Sequence, residues 1–463
     1  MLNFSQHLAK NEFCILVEYL SSPINNQVPQ NIAGFSAFMT IADRVHADND
    51  LSPLDLVKLY PTDVEKILHF SGKGRDIKEF QVFLEDAKLL GIQNLLLLTG
   101  DKLKGHTNGQ HGTPRTRYLE SVNAVMEAKR QGGFNIGVAF NPFKYTEAEC
   151  DAQYLKLNKK LRAGADFMIT QLGYDMQALK QAQAFLKCHS YSQKIYACVM
   201  PLSLVRANFM LRNKVAGISI TPHMLQVLAD EKSKGLTDRA YLRCALQILM
   251  CQHLGFVGIH LSACHKPEEQ KLLESYIEQY RHLALDELES LWNSLWQVKS
   301  GKEFVPELAD YSHPPTSSQR IKYQQLHFMH EALFESKIAK SIGYFIFKAS
   351  FWNNTFTSKV LLKAELMTKH SVVGCESCGV CRLADTLYIC PETCPKGLAN
   401  GPCGGTYLDR CEFGDRECIH SVKARLAKAV NRTDILKNKL IPAVPIEVRG
   451  TSSWRNWYLA KEA

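Results

Sequence analysis

The segment FCILVEYL (residues 13–20) is an apolar run that a single carboxylate, Glu18, interrupts. Seven runs of similar length follow it before about residue 265, each bounded by Gly, Pro, Asn or Asp: SAFMTIAD (36–43), VEKILHF (64–70), NLLLLTGD (94–101), NIGVAFN (135–141), DFMITQL (166–172), KIYACVMP (194–201) and GFVGIHLSA (255–263). Short continuous apolar runs are typical of strands buried on both faces of a parallel sheet.

Segments with helical periodicity lie between most of these runs. DIKEFQVFLEDAKLLG ends at Gly91, and PRTRYLESVNAVMEAKRQGG opens with Pro114 and ends at Gly132, as helices commonly begin and end. Eight strand–helix repeats predict an α/β fold, a (β/α)8 TIM barrel. The alternative is a doubly wound open sheet, but such a sheet usually has a Gly-rich turn after its first strand, and none follows ILVEYL.

Three regions are predicted along the 463 residues. Residues 1–265 form the barrel, residues 266–370 a helical extension and linker, and residues 371–463 a small cysteine-rich domain. In the second region Trp292 and Trp296 lie four positions apart, so they are expected to pack one helix face against the barrel.

The chain carries a moderate excess of positive charge, which by itself excludes few kinds of binding partner. The chain has 55 basic and 46 acidic residues, spread without a basic run, which fits a small anionic ligand and gives no sign of nucleic-acid binding. The first twenty residues lack a signal-peptide pattern, so a cytoplasmic protein is expected. SIGYFIFKASFWNNTF (341–356) is too short and too polar for a membrane span.

Polar residues at the ends of the predicted strands are the candidate site, because the C-terminal strand ends of such a barrel form one pocket. They are Glu18, Thr40, Asp43, His69, Asp101, Asn141 and Gln171. Glu18 is the sharpest candidate, since a buried carboxylate needs a partner or a catalytic role, and burial suits a general acid. The competing interpretation is an ion pair of Glu18 with Arg44 or a nearby Lys.

Eight of the 15 cysteines lie in the 44 residues from Cys375 to Cys418. They are Cys375, Cys378, Cys381, Cys390, Cys394, Cys403, Cys411 and Cys418. The C-x2-C-x2-C start favours one or two 4Fe-4S clusters, with zinc as the alternative metal. The scattered cysteines, such as Cys14, Cys198 and Cys251, are expected to be small core residues.

Several barrel segments together resemble the methylenetetrahydrofolate reductase family, whose members are flavin-dependent. The similar segments are ILVEYLSSP (15–23), LLLLTGD (95–101), IGVAFNP (136–142) and KLNKKLRAGADFMITQ (156–171), within residues 13–265. The resemblance implies that Glu18 is the acid that protonates N10 of 5,10-methylenetetrahydrofolate before hydride transfer from flavin N5. It also implies FAD, or FMN, as cofactor.

The same resemblance assigns further roles. Asp101 would lie near the flavin and the pterin and tune the reduction potential of the flavin. Thr40 and His69 would contact the flavin, and Lys160 would reach its phosphates. Gln171 would bind the pterin. The sequence departs from the family pattern in three places: Ala207 replaces a folate-contacting glutamine, Leu211 an aromatic residue, and Asn141 a flavin-stacking tyrosine.

The cysteine-rich region resembles the C-terminal domain, or separate small subunit, of methylenetetrahydrofolate reductases from acetogenic and other bacteria. The resemblance rests on CPKGLANGPCGG (394–405) and GTSSW (450–454) and covers about residues 371–457. It implies that this domain docks on the flavin barrel and passes electrons to it.

The expected function is therefore interconversion of 5,10-methylenetetrahydrofolate and 5-methyltetrahydrofolate, with NAD(P)H or a redox protein as electron partner. One alternative is a non-redox tetrahydrofolate-binding partner in methyl transfer, with a zinc docking module; another is a regulatory relative without activity. The sequence leaves the oligomeric state open, a homo-oligomer included.

Overall fold

A computed structural model describes residues 3–19, 29–43, 50–61, 64–102, 118–299, 301–307, 313–414 and 416–460. Arg44, the proposed ion-pair partner of Glu18, lies outside these residues.

The strands form a closed parallel barrel, as predicted. They are β1 (Cys14–Tyr19), β2 (Asn31–Ile32), β3 (Phe35–Ile41), β4 (Lys66–Ser71), β5 (Asn94–Leu98), β6 (Asn135–Phe140), β7 (Phe167–Thr170), β8 (Lys194–Val199) and β9 (Gly258–Leu261). Eight of them pair in parallel in chain order, and β1 pairs with both β3 and β9, which closes the ring and rules out the open sheet. The short β2 is an antiparallel addition to β3 that the sequence did not predict.

Helices surround the barrel where the helical periodicity predicted them. Those of the barrel region are α1 (Phe4–Lys10), α2 (Pro53–Val57), α3 (Ile77–Leu89), α4 (Ser121–Gln131), α5 (Glu147–Arg162), α6 (Met176–Cys188), α7 (Leu204–Arg212), α8 (Pro222–Ser233) and α9 (Arg239–His253). Local chemistry fixes their starts: Asp76 caps α3 and forms a capping box with Glu79, and Pro222 opens α8 behind the capping Thr221.

Two more helices, α10 (Pro267–Tyr280) and α11 (Leu285–Trp296), add to the same hydrophobic core. Trp292 and Trp296 are buried there, which confirms the prediction that they pack a helix against the barrel. The Arg243 guanidinium lies 4.2 Å from the centroid of a Trp296 ring and pairs with Glu231, so its charge is satisfied within the core.

The remaining chain is helical with short irregular connections. Its helices are α12 (Ser317–His330), α13 (Lys337–Lys348), α14 (Thr355–Val373), α15 (Ile419–Ala429), α16 (Thr433–Asn438) and α17 (Ser453–Leu459), with short 3₁₀ or π turns at Gly301–Phe304, Glu331–Glu335, Ser350–Asn353, Ala384–Thr386, Pro391–Thr393 and Ile446–Val448. A second, much smaller core holds this part together: Tyr323, Leu387, Tyr388, Leu426 and Ala427. Within the described residues, no helix has the length and apolar character needed to cross a bilayer.

The cysteine-rich region packs directly on the barrel. Helices α15 and α16 lie against α5, where Lys428 pairs with Glu147 and Asp151. Gly401 approaches α5 so closely that a Cβ on it would lie 2.6 Å from the Cβ of Lys156, and its φ of +144° favours glycine. Docking of the two parts therefore depends on close backbone contact as well as on charge.

Candidate active site

Glu18 lies near the C-terminal end of β1 and is half-buried. Its carboxylate accepts a hydrogen bond from the Ser262 hydroxyl, with 2.7 Å between Oε2 and Oγ. Ser262 directly follows β9, the neighbour of β1 that closes the barrel. Because this bond occupies Oε2, Oε1 is the oxygen of Glu18 that is left for a proton exchanged with a ligand.

A buried polar cluster lies beside Glu18 inside the barrel. Thr40 Oγ1 is 3.0 Å from His260 Nε2, and the other ring nitrogen of His260 is 3.5 Å from the Cys198 sulfur. The Cys198 sulfur in turn lies 3.7 Å from the Ser262 hydroxyl. Burial lowers the pKa of His260, against the opposing charge of Glu18, and burial raises the pKa of Cys198 to about 12. The cluster therefore holds neutral groups around the one carboxylate.

His69 on β4 belongs to the same cluster, with its ring centroid 5.9 Å from that of His260. Burial lowers the pKa of His69 to about 3, and His260 adds to this shift. Its Nε2 is buried without a hydrogen-bond partner among the described residues. A buried nitrogen without a partner is costly, and a bound ligand would supply the missing hydrogen bond.

Asp43, at the end of β3, has a structural role. Its carboxylate accepts a hydrogen bond from the Ser71 amide at 2.8 Å and pairs with Arg75 at 2.7 Å. The ion pair therefore connects the end of β3 to residues 71–76 (SGKGRD), which form a turn.

Asp101 follows β5 at the point where the cysteine-rich region meets the barrel mouth. The Lys396 ammonium donates to the carbonyl of Gly100 at 2.7 Å and to the Glu412 carboxylate at 2.5 Å. The Asp101 side chain is exposed to solvent. Neighbouring protein still removes part of the water around its carboxyl, and this desolvation together with Glu412 raises the pKa of Asp101, while Lys396 and Lys73 oppose the shift.

Asn141 replaces the tyrosine of the family pattern, and the structure shows what holds it. Its side-chain amide donates to the carbonyls of Gly217 at 2.9 Å and Gly404 at 2.8 Å. Lys144 donates to the same Gly404 carbonyl at 3.0 Å. A Cβ on Gly217 would lie 2.4 Å from the Gly404 oxygen, and its φ is +75°, so this contact needs glycine. Asn141 thus anchors the loop after Cys403 to the barrel mouth.

Gln171 and Lys160 make contacts within the barrel. The Gln171 amide donates to the Ala216 carbonyl at 3.1 Å, and its oxygen accepts from the Leu172 amide. The Lys160 ammonium donates to the Ala139 carbonyl on β6. Burial lowers the pKa of Lys160 to about 7, and Lys156 adds to this shift. Their roles toward a pterin and toward flavin phosphates stay predictions.

Among the described residues no cysteine forms a disulfide, and the cysteines of the C-terminal region fall into two groups by their electrostatic effect on one another. In the first, Cys378 and Cys381 act electrostatically on Cys390, and Cys378 and Cys390 act on Cys375. The second contains Cys394, Cys403 and Cys418. Cys411 lies in the turn that leads to Cys418. The number of thiols is visible in the sequence, whereas their division into two groups is a property of the folded chain.

Buried ammonium groups accompany both cysteine groups. Lys369 Nζ lies 3.8 Å from the Cys381 sulfur and pairs with Glu365 at 2.8 Å. Lys423 is 1% exposed, its Nζ has no hydrogen-bond partner among the described residues, and the side chains of Cys394 and Cys390 are near enough to act on it electrostatically. A buried ammonium without a counter-charge is costly, so negatively charged thiolates fit this environment.

The described residues contain no set of three Cys, His, Asp or Glu side chains arranged as around one metal ion. The thiol donors and the Lys423 ammonium, which has no hydrogen-bond partner among these residues, fit the chemistry of a negatively charged metal–thiolate group, either an iron–sulfur cluster or zinc.

Sequence reasoning missed His260 and Ser262. The signal was present, because both interrupt the apolar run GFVGIHLSA as Glu18 interrupts FCILVEYL. Lys396 and Glu412 gave no such signal, because they come from about 300 residues further along the chain.

Comparisons with known proteins agree with this architecture. Residues 18–273 match the family described as methylenetetrahydrofolate reductase, and residues 354–446 match its C-terminal region, methylene-tetrahydrofolate reductase C terminal. Methylenetetrahydrofolate reductase 1 of Schizosaccharomyces pombe is 25% identical over 236 residues, which cover 50% of this chain and 38% of the relative. Methylenetetrahydrofolate reductase 2 of Saccharomyces cerevisiae is 28% identical over 196 residues, 41% of this chain and 32% of the relative.

The chain thus spans about a third of the length of these curated relatives. Among solved structures, a protein from Clostridium thermocellum described as binding two copies of 5-methyl-5,6,7,8-tetrahydrofolic acid aligns with a TM-score of 0.41 and 14% identity, covering 61% of this chain and 100% of that one.

Fold and site together define a (β/α)8-barrel protein with polar side chains at the C-terminal strand ends and a cysteine-rich region docked beside them. The barrel accounts for more than half of the chain in the family match. The chain belongs to the methylenetetrahydrofolate reductase family, a family of oxidoreductases.

Proposed function

We propose that this protein interconverts 5,10-methylenetetrahydrofolate and 5-methyltetrahydrofolate. The observation that carries the proposal is Glu18, a half-buried carboxylate at the C-terminal end of a barrel strand, held through one oxygen by Ser262. A protonated Glu18 donates its proton to N10 of the bound folate, which opens the five-membered ring and makes the one-carbon unit electrophilic. The neutral surroundings of Thr40, His260 and Cys198 leave the carboxyl as the proton carrier of the site.

The cofactor is proposed to be FAD, with FMN as the alternative, because family members are generally flavin-dependent. Bound flavin supplies the hydride through N5. His69 offers a buried, unpartnered Nε2 for such a ligand, and Thr40 lies across the same cluster. Gln171 is proposed to orient the pterin, Asp101 to place a carboxyl near the reacting rings, and Lys160 to bind flavin phosphates once released from Ala139.

A direct test is purification without oxygen, followed by a visible spectrum and an assay of 5-methyltetrahydrofolate oxidation with a viologen dye. Flavin absorbance together with dye reduction is the expected result. A colourless protein that still binds tetrahydrofolate would instead favour the non-redox methyl-transfer partner, and the proposal would then be wrong.

Ser262 is proposed to position Glu18. Ser262→Ala is expected to lower turnover about tenfold, because the carboxyl loses the hydrogen bond that orients it. Steady-state kinetics checks this, with Ser262→Thr as the control that keeps the hydroxyl and should restore most of the rate. If Ser262→Thr were as slow as Ser262→Ala, the hydroxyl would not position the carboxyl.

The eight C-terminal cysteines are proposed to hold one or two 4Fe-4S clusters, with zinc as the alternative. Iron, sulfide and zinc analysis of the anaerobic protein distinguishes them. Cys378→Ser is expected to remove roughly half of the iron if each group of thiols holds its own cluster. Cys188→Ser is the control, since that thiol is exposed and outside both groups. Stoichiometric zinc without iron would contradict the cluster assignment.

Other parts of the proposal concern the whole protein. We propose NAD(P)H or a redox protein as electron partner, a cytoplasmic location, and division of the chain near residues 265 and 370, with the qualification that α10 and α11 share the barrel core.

A further inference from the structure

Helices α13 and α14, which a short turn joins and which both contact α17 or its capping residue, expose large apolar side chains; this unit is called the α13–α14 hairpin below. On α13, Ile338, Ile342, Phe345 and Ile346 are spaced i, i+4, i+7 and i+8, so they form one stripe, and all four are exposed. In water such a stripe normally faces a core.

The opposite side of α13 already packs on the protein. Gly343 lies against Tyr458 of α17, where a Cβ would come within 2.3 Å of the Tyr458 ring, and Phe347 stacks on that ring at 5.4 Å. α13 therefore has apolar side chains on two sides, and among the described residues its outer stripe is left uncovered.

The tip of the hairpin is aromatic. The 3₁₀ turn Ser350–Asn353 joins the two helices, and Phe351 and Phe356 beside it are 61% and 75% exposed. Lys348 and Lys359 lie three residues before and three residues after these two rings. Aromatic rings with lysines at their margin are the arrangement found where proteins enter the interfacial layer of a bilayer.

The charge of this segment also favours a negatively charged surface as its partner. Residues 336–364 contain five lysines, Lys337, Lys340, Lys348, Lys359 and Lys363, and no Asp or Glu, and of these Lys340 is already paired with Glu335 at 2.5 Å. A second copy of the chain would bring the same lysines against each other across a two-fold axis, which is unfavourable. An anionic lipid surface attracts them.

We propose that the α13–α14 hairpin binds the surface of membranes that contain anionic lipids. Phe345, Phe351 and Phe356 enter the boundary between headgroups and acyl chains, and the lysines contact lipid phosphates. The hairpin lies on the membrane, since α13 has 12 residues and is too short to span it. This inference is independent of the folate chemistry.

Co-sedimentation of the full-length protein with vesicles tests the proposal. Binding is expected to vesicles with about 30% phosphatidylglycerol, to weaken with added salt, and to be absent with pure phosphatidylcholine. The variant Phe345→Ser/Phe351→Ser/Phe356→Ser is expected to lower the bound fraction about tenfold. Its control is Val82→Ser/Leu89→Ser, which removes two exposed apolar side chains from α3 and should bind as the unmodified protein does.

Sedimentation analysis without lipid completes the test. If the protein stays in the supernatant with anionic vesicles, the proposal is wrong, whatever its oligomeric state. A dimer that the three serine substitutions dissociate would then identify a second copy as the occupant of the stripe. Equal vesicle binding by the triple variant and by its control would equally overturn the assignment to the hairpin.

Discussion

Replacing Glu18 with Gln is expected to lower folate turnover by about 10²–10⁴-fold and to leave flavin binding unchanged. Glutamine keeps the size of the side chain and an oxygen that accepts from Ser262, but it cannot deliver a proton to N10 of the folate. The loss should appear in turnover rather than in affinity, because the proton is transferred only during the reaction. Anaerobic stopped-flow kinetics with flavin titration measures both quantities.

The matched control is Glu85→Gln, the same substitution at an exposed position of α3. It should behave as the unmodified protein does. If Glu18→Gln turned over folate as fast as this control, Glu18 would be only a structural carboxylate that pairs with Ser262, and the proposed acid would have to be sought elsewhere at the barrel mouth.

The second large effect concerns the attachment of the cysteine-rich region. Glu120→Ala is expected to lower the free energy of unfolding by about 3–5 kcal/mol, because it leaves a buried charge without its partner. Glu120 and Lys156 are 2.9 Å apart, with 5% and 3% of their side chains exposed. The same carboxylate accepts hydrogen bonds from the amides of Ala399 and Asn400, which lie in the loop between Cys394 and Cys403.

Urea unfolding measures this loss, and hydrogen exchange of residues 394–418 should show the docked loop opening first. Glu447→Ala is the control. Glu447 pairs with Lys78 of the barrel, but both side chains are more than half exposed, so the cost of that substitution is expected to stay below about 1 kcal/mol. Equal costs for the two substitutions would show that the Glu120 pair does not hold the region.

The Glu120 pair also predicts a pH dependence. Burial by itself raises the pKa of Glu120, but the Lys156 ammonium and the amides of Asn400 and Ala399 outweigh it and hold the pKa below its usual value. A carboxyl with a lowered pKa in the folded state stabilises the protein above its unfolded pKa, which is near 4.5. This contribution is lost as the pH falls through the folded pKa, so acid should release the cysteine-rich region, and Glu120→Ala should lack this transition.

Much of the fold could be predicted from local patterns. Each barrel strand is buried on both faces, so its sequence is a continuous apolar run, and bounding Gly, Pro, Asn and Asp residues mark its ends. Glu18 was recognisable by the same rule, because a carboxylate within such a run is an exception that calls for a reason. His260 and Ser262 interrupt their apolar run in the same way, and the predicted barrel places that last strand beside the first, so this signal was present although it was not used.

The function of Asn141 could not be read from the sequence. As a departure from the family pattern it puts the binding of flavin in question, whereas in the folded chain it anchors Gly404 to the barrel mouth. Its partner is 263 residues away, and no periodicity relates two positions at that distance. The pairing of Lys396 with Gly100 and Glu412 was hidden for the same reason.

The sequence by itself determined the eight strands, the barrel, the position of Glu18 and the concentration of thiols near the C-terminus. These follow from burial periodicity and composition, which act on neighbouring residues. Only the tertiary structure decided that Ser262 holds Glu18, that the cysteine loop docks on the barrel beside Asp101, and that the α13 stripe is left facing outward. Those outcomes depend on which distant surfaces meet, and contacts between distant segments follow from the packing of the whole chain rather than from any local pattern.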